Sequence, residues 1–220
     1  SLRSVHKSGH LISFILTNDA DLIGITELRG TPEDVLLIAD VYSALRLAGY
    51  EYQYYNPATP NKGLYGTAIF SRIRPKEILK NIGCLDTDGR VITAIFEHFV
   101  FILAYVPTLG FNHVTGELTN MERRKTFDEH LSAHLDRLSA NCDVPIILAG
   151  DLNTCIHPQH IWDQSLLTSP FPSCTPDERQ RMHQIMTENE LVTAFDALHP
   201  KTGKNFTYFF EDNPNKGMLI

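Results

Sequence analysis

Apolar side chains recur along this chain at two spacings, one helical and one extended, and the alternation between them lays out its elements. Leu11, Ile12, Phe14, Ile15 and Leu16 share a helical spacing, and Asn18-Asp19 ends that helix. Residues 21–27 then form a short strand closed by Glu27. Thr31-Pro32-Glu33-Asp34 predicts a helix start, with Thr as N-cap, Pro at the first helical position and acids in the first turn. That helix runs to about Ala48 and stops at Gly49. Strands follow at 50–55 and 65–71 across a loop at 56–63, and residues 91–96 and 99–106 predict a hairpin around Glu97-His98. A long helix over 121–138 places Phe127, Leu131, Leu135 and Leu138 on one face. A buried strand at 144–149 comes next, then a loop at 153–173 rich in Pro, His and Ser. Thr175-Pro-Asp-Glu178 fits a capping box and opens a second long helix through 179–186. The tail predicts a strand at 205–210 and a polar turn at 211–217. Alternating strands and helices, with several strands paired as hairpins, predict an α/β sandwich of mixed sheets.

Four polar side chains sit where an apolar strand ends. Glu27 lies on the same side of its strand as Ile23 and Ile25, and Tyr105 ends the 99–105 run just before Val106-Pro107. Gly150 is followed by Asp151 and Asn153. Side chains at i and i+2 of an extended segment point the same way, so Asp151 and Asn153 are expected to face one site. The carboxylate suits polarising a water, and the amide suits holding that water or a phosphate oxygen. With Glu27 and Tyr105 they form a set suited to a hard cation and a phosphodiester. Mg²⁺ takes one or two carboxylates plus waters and substrate oxygens, and acts as a Lewis acid on the phosphate. The plainer alternatives for the same residues are an Asx turn closing a strand and a core tyrosine with its hydroxyl satisfied.

Bulk composition narrows the classes. With 43% hydrophobic and 20% charged residues, a chain of 220 suits one large globular domain. No apolar run approaches the roughly 18 residues that a bilayer span needs, so no membrane partner is expected. The N-terminus lacks a signal peptide's apolar core. Cys84, Cys142, Cys155 and Cys174 contain no Cys-x-x-Cys pair and read as free thiols of a reducing compartment. The expected location is therefore intracellular, the nucleus in a eukaryote or the cytoplasm in a bacterium. The net charge of −7 means that a polyanion would be held by a local patch and a metal, not by the global field. Arg123-Arg124-Lys125 and Arg72/Arg74/Lys76 are the candidate patches, with solvated surface charge as the plainer reading.

Six short segments occur in one order: Ile25-Thr-Glu27-Leu-Arg29, Gly66-Thr-Ala-Ile-Phe-Ser-Arg72, Asp86-Thr-Asp-Gly-Arg90, Ala104-Tyr105-Val-Pro107, Gly150-Asp151-Leu-Asn153 and Thr175-Pro-Asp-Glu-Arg-Gln180. In order and spacing the chain resembles the exonuclease III / apurinic-apyrimidinic endonuclease family of the endonuclease/exonuclease/phosphatase superfamily. The resemblance covers essentially the whole chain. It implies a four-layer α/β sandwich of two mixed sheets flanked by helices, as in deoxyribonuclease I. It implies a Mg²⁺ cofactor, with Mn²⁺ as the alternative ion, and a monomer acting on double-stranded DNA with abasic sites. By position, Glu27 would be the metal glutamate and Asp151 would activate the water. Asn153 would position water or phosphate, and Asp151 and Asn153 also fall in the implied metal set. Tyr105 would hydrogen-bond the scissile phosphate. Arg90 matches a family arginine that contacts the backbone or serves structurally, and it is counted among the substrate-binding candidates. Tyr208, Met218 and Ile220 fall where the family builds an apolar pocket for the abasic sugar. Met218 stands where the family places a tryptophan, Thr26 where it places a glutamine, and Thr108 where it places an asparagine.

The same resemblance sets an expectation about the ends. The family opens with a strand bearing a site asparagine, and continues past the residues equivalent to 215–220 into an orienting aspartate and a Ser-Asp-His segment. The expected fold therefore lacks its first and last strands, as one domain over 1–220 truncated at both ends. The implied activity is Mg²⁺-dependent incision 5′ to abasic sites in base-excision repair, with 3′-to-5′ exonuclease action as a companion. The alternative is a catalytically inactive fragment or pseudoenzyme that binds DNA or protein. His157 and His160, in the loop after Asn153, read as solvated loop histidines.

Overall fold

Strands with hardly a polar face run through the first half of the chain, and they pair into two sheets that bury one another. The computed structural model describes residues 10–30, 39–59, 61, 63–112, 114–168, 170–199, 206–210 and 213–219. One compact unit comprises Ser1–Tyr105 and Cys142–Asp151, and a second comprises Val106–Asn141 and Leu152–Ile220.

The first unit holds, in chain order, α1 (His10–Asn18), β1 (Leu22–Thr26), α2 (Ala39–Leu47), β2 (Tyr52–Asn56), β3 (Thr67–Ser71), β4 (Glu77–Lys80), β5 (Val91–Ile95) and β6 (Val100–Tyr105). A first sheet, ordered β1-β3-β2, is antiparallel throughout. In the second sheet β4, β5 and β6 are antiparallel neighbours, and Ile146–Asp151, the ninth strand of the chain (β9), lies parallel to β6. The predicted β5–β6 hairpin is present, closed by the Phe96 N–H donating to the Phe99 carbonyl at 2.9 Å. β1 packs across β6 and β9, and β3 across β5 and β6. Ile69, Ile92, Ala94, Phe101 and Leu103 fill that interface. Each fully buried aliphatic side chain there contributes roughly 1.5–3 kcal/mol. At Gly24 a Cβ would stand 2.6 Å from the end of the Leu103 side chain, so a larger residue would push that side chain aside. On the outer face of the first sheet, Leu11 and Ile15 of α1 and Val41 and Leu45 of α2 cover Ala68 and Phe70. The result is mixed β-sheets flanked by helices, as the sequence predicts.

β9 departs from its expectation. The run at 144–149 predicts a buried strand, yet Ile147 is 47% exposed. The reason is pairing: β9 is the end strand of its sheet and bonds only to β6 among the described residues. β4 was not legible as a strand because its sequence, Glu77-Ile-Leu-Lys80, is polar at both ends.

In the second unit a two-residue ladder joins β7 (Gly110–Phe111) to β8 (Leu118–Thr119), and α3 (Met121–Asn141) follows. Phe127, Leu131, Leu135 and Leu138 are buried on α3, the stripe read from the sequence. Two short 3₁₀ turns, Pro158–His160 and Gln164–Thr168, order part of the predicted loop. α4 (Pro176–Glu188) opens on the predicted capping box, with the Thr175 hydroxyl donating to Glu178 Oε2 at 2.7 Å. A short helix, α5 (Ala194–Leu198), and a hairpin of β10 (Tyr208–Phe210) with β11 (Asn213–Met218) complete the unit. The hairpin corrects the polar turn expected at 211–217, since backbone pairing with β10 makes a strand of a segment that no apolar pattern marks. The opening of α2 at 31–38, Asn205 and Ile220 lie outside the described residues.

Each candidate basic patch loses one member to internal pairing, while Lys76 and Lys125 stay exposed. Arg124 is fully buried. Its Nε donates to Asp128 at 3.0 Å, and its terminal nitrogens reach the carbonyls of Pro107 at 3.1 Å, Asn153 at 3.0 Å and Leu152 at 3.4 Å. Those nitrogens also donate to Thr154 Oγ1 at 2.5 Å and Glu178 Oε1 at 3.3 Å. Arg181 adds a second cation to Asp128 at 2.9 Å. In the first unit Arg72 lies over the Tyr50 ring and pairs with Asp19 at 2.7 Å. Replacing Arg124 with Met would leave Asp128 and Glu178 without their shared buried cation. The expected loss is about 3–5 kcal/mol, the cost of breaking a buried pair from one side, measured by urea unfolding. A loss below about 1 kcal/mol would show that the acids find other partners or neutralise without penalty.

Candidate active site

Glu27 closes β1 on a backbone turn that few side chains tolerate. Its φ is 53° and that of Arg29 is 48°, both in the left-handed region that non-glycine residues seldom occupy. Leu28 between them is buried, and its N–H and that of Arg29 donate to the carbonyls of Gly66 and Tyr65 at 3.1 and 2.9 Å. Packing thus holds the turn open and sets where the carboxylate points. Tyr65 itself has a φ of 50°, which is why β3 begins at Thr67 and not at 65 as predicted.

One carboxylate oxygen of Glu27 accepts two hydrogen bonds, from Arg29 at 2.7 Å and from the Tyr105 hydroxyl at 2.9 Å. Burial pushes the Glu27 pKa up, but those two bonds and the Arg29 charge outweigh it and hold the group below its ordinary 4.5. Glu27 is therefore a carboxylate at neutral pH. Tyr105 moves the other way: burial first, then its bond to Glu27 and the nearby charges of Glu27 and Asp151, raise its pKa well above 10.0, against an opposing pull from Arg90. The phenol stays protonated and acts as a donor, not as a base.

Arg90 is the scaffold of that phenol. Its guanidinium lies 4.1 Å from the Tyr65 ring centroid and 4.9 Å from that of Tyr105, in the angle between two rings tilted by 55°. It pairs with Asp88 at 2.7 Å and donates to the Tyr105 carbonyl at 3.0 Å, and only 5% of it is exposed. Neither Tyr65 nor Asp88 was singled out from the sequence. The one available signal was the alternation in Asp86-Thr-Asp88-Gly-Arg90, which sets an acid two residues before a cation.

Asp151 ends β9 directly opposite Tyr105 in the parallel register. Gly150, just before it, has a φ of 125°, and a Cβ there would run into the Ala104 carbonyl, so this approach requires glycine. Glu27, Tyr105, Arg90 and Asp151 all belong to the first unit. Asn153 belongs to the second, and the argument that it shares a strand face with Asp151 fails. The strand stops at Asp151, Asn153 has a φ of 45°, and its side-chain amide donates to the Val106 carbonyl at 2.9 Å. Tyr208 and Met218 are cross-strand partners in the β10–β11 hairpin, the first 45% exposed and the second buried.

His160 corrects the expectation of a solvated loop histidine. It is buried, its Nε2 lies 3.0 Å from Asp196, and its Nδ1 accepts the His157 N–H at 3.4 Å. A cleft of about 460 Å³ beside α3 and α4 contains none of the predicted site residues.

Oxygen-only donors suit a hard cation. Glu27 and Asp151 supply carboxylates, and no group of three His, Cys, Asp or Glu side chains converges among the described residues. One or two protein carboxylates are what Mg²⁺ ordinarily takes when substrate and water fill the remaining positions, so the residues fit that ion. No helix among the described residues is long and apolar enough to cross a membrane.

Comparison with known proteins agrees with this geometry. The pattern of the endonuclease/exonuclease/phosphatase family matches residues 1–215. The DNA repair nuclease APEX1 of Danio rerio is 27% identical over 93% of this chain and 62% of its own length. The DNA-(apurinic or apyrimidinic site) endonuclease of Dictyostelium discoideum is 35% identical over 74% of this chain and 42% of its own. A 3′-5′ exonuclease from Neisseria meningitidis (NExo) superposes with a TM-score of 0.78 at 19% identity, covering 100% of this chain and 81% of that one. An AP endonuclease from Archaeoglobus fulgidus gives 0.73 at 19% identity over 94% and 77%. The chain belongs to the endonuclease/exonuclease/phosphatase family, in its exonuclease III / AP endonuclease branch. It spans 62% and 42% of the lengths of those two curated relatives.

Since the folded pKa of Glu27 is depressed, its contribution to stability is fully present above the ordinary carboxylate range. It is lost as pH falls through the folded value. Tyr105→Phe removes one of the two hydrogen bonds. The expected outcome is a Glu27 titration midpoint moved up toward 4.5, read from its carboxyl carbon by NMR. An unmoved midpoint would mean that Arg29 alone sets it.

Proposed function

We propose that this chain carries the hydrolytic centre of a Mg²⁺-dependent DNA phosphodiesterase of base-excision repair. It incises the backbone of double-stranded DNA 5′ to an abasic site and also removes nucleotides from 3′ ends. The observation that carries the reading is the register of Tyr105 beside Asp151, with the Tyr105 hydroxyl on the Glu27 carboxylate. The relatives, a DNA repair nuclease and an apurinic-site endonuclease, support the same substrate.

Glu27, with Asp151 and Asn153 as the further candidates, would hold the ion, which when bound supplies Lewis-acid stabilisation of phosphate charge. Tyr105, held neutral, donates its proton in a hydrogen bond to a non-bridging phosphate oxygen. Asp151 accepts a proton from the attacking water, whose oxygen forms the new bond to phosphorus as the 3′ oxygen departs. Asn153 orients that water or the phosphate. Arg90 acts as a positioning residue through the Tyr105 ring and carbonyl. Of the sugar-pocket candidates, Tyr208 is exposed and would meet a sugar without its base, whereas Met218 is buried and Ile220 lies outside the described residues.

The test is incision of a labelled duplex with one abasic site, with and without Mg²⁺, by the full chain. Asp151→Ala and Tyr105→Phe are each expected to lower the rate by about 10²–10³. Asp88→Asn frees the Arg90 guanidinium and should lower kcat with little change in KM, as expected of a positioning role. Retention of the duplex without metal-dependent cleavage, insensitive to Asp151→Ala, would replace this reading with that of a non-catalytic DNA-binding module.

A further inference from the structure

Three sulfur atoms from distant parts of the sequence meet in the second unit. Cys155 and Cys174 are both fully buried, and Met218 is 4% exposed. The Cys174 thiol donates to the Met218 thioether at 3.6 Å, and the Cys155 thiol lies within hydrogen-bond reach of Cys174. The Cys155 N–H donates to the Ser173 carbonyl at 2.7 Å, which ties the two cysteine-bearing segments together. Ile161, Leu167, Trp162, Leu166 and Phe171 surround the cluster. Isolated buried cysteines are usually small hydrophobes. Two further features set this cluster apart. The thioether converges on the thiols, and Arg179, within electrostatic range of Cys155, has a buried Nε with no hydrogen-bond partner among the described residues. The Arg179 charge favours a thiolate at Cys155, against the bond to Cys174 and the burial that keep the thiol protonated until a cation replaces the proton.

We propose that Cys155, Cys174 and Met218 form a binding site for a soft monovalent d¹⁰ cation, Cu(I) in its physiological form. Two thiolates and a thioether are the ligand set that such an ion selects, whereas structural Zn²⁺ sites take four nitrogen or sulfur donors. The binding step involves no redox change. Both thiols lose their protons to solvent, two Cu–S thiolate bonds form, and the complex carries one net negative charge. The Arg179 guanidinium balances that charge. Glu178, the acid that opposes it, is already committed to Thr175 and Arg124. The cation joins the loop that follows Asn153, the approach to α4 and the end of β11, and so acts as a staple within the second unit.

The experiment titrates the reduced full chain with Cu(I), free of oxygen, against a bicinchoninate competitor, and follows thiolate-to-copper absorption and the thermal midpoint. One tight equivalent is expected, with a rise in midpoint as the ion binds the folded chain. Cys155→Ser and Cys174→Ser should each weaken binding by more than the 10–100-fold typical of losing an outer-shell partner, and Met218→Leu by roughly tenfold. Cys84→Ser and Cys142→Ser should leave it intact. If Cys155→Ser lacks a cooperative transition without metal, Cys155→Ala takes its place. A tight equivalent that survives the Cys155 and Cys174 variants, or falls with Cys84→Ser, would overturn the proposal. So would a folded wild-type chain that takes up no copper against the competitor.

Discussion

A guanidinium cut off from water must find acceptors inside the protein, and the second unit is arranged around that demand at Arg124. The side chain is fully buried, and it collects two carboxylates, a hydroxyl and three main-chain carbonyls. The carbonyls matter most. Pro107 lies two residues beyond Tyr105, and Leu152 and Asn153 lie just beyond Asp151. Two loop segments of the second unit that are distant in sequence are therefore tied to one buried cation. Thr175 and Glu178 add the α4 capping box to the same network, so a helix start and a loop path share a single set of bonds.

The first unit solves a different electrostatic problem. Glu27 must stay ionised although it is partly buried, and Tyr105 must stay protonated although its neighbours are charged. One hydrogen bond serves both ends: it lowers the pKa of the acid and raises that of the phenol. Arg29 supports the acid, and Arg90 holds the ring. The left-handed turn at Glu27 and Arg29 is tolerated because Leu28 is buried and its N–H is satisfied, so core packing sustains an uncommon backbone where the site requires it.

How much of this was legible in the sequence follows the physics of each element. β3, β5 and β6 are buried on both faces, and continuous apolar runs announce them; α3 announced itself by the stripe through Phe127, Leu131 and Leu135. β4 and β11 owe their existence to backbone pairing and carry polar residues, so no pattern marks them. Glu27, Tyr105 and Asp151 were legible because each ends an apolar run. Arg90 was visible as a motif residue, but its place between Tyr65 and Tyr105 depends on turns that bring distant segments together. Arg124 was hidden by its neighbours Arg123 and Lys125. Its place on the same helical stripe as Phe127 and Leu131 was the signal that it turns inward. Asn153 was misplaced because a period-two argument was carried past the last residue of a strand.

The shielded setting of Arg90 bears on how the protein would respond to ionic strength. Its bond to Asp88 is formed with both side chains largely shielded, at 5% and 15% exposure, where mobile ions screen little. Salt can therefore weaken the exposed pairs, such as Lys76 with Glu97, without loosening the tyrosine that Arg90 supports. Exposed ion pairs and the alignment of the Tyr105 donor are separable in this fold, and only the former answer to the counterion concentration of the surrounding solution.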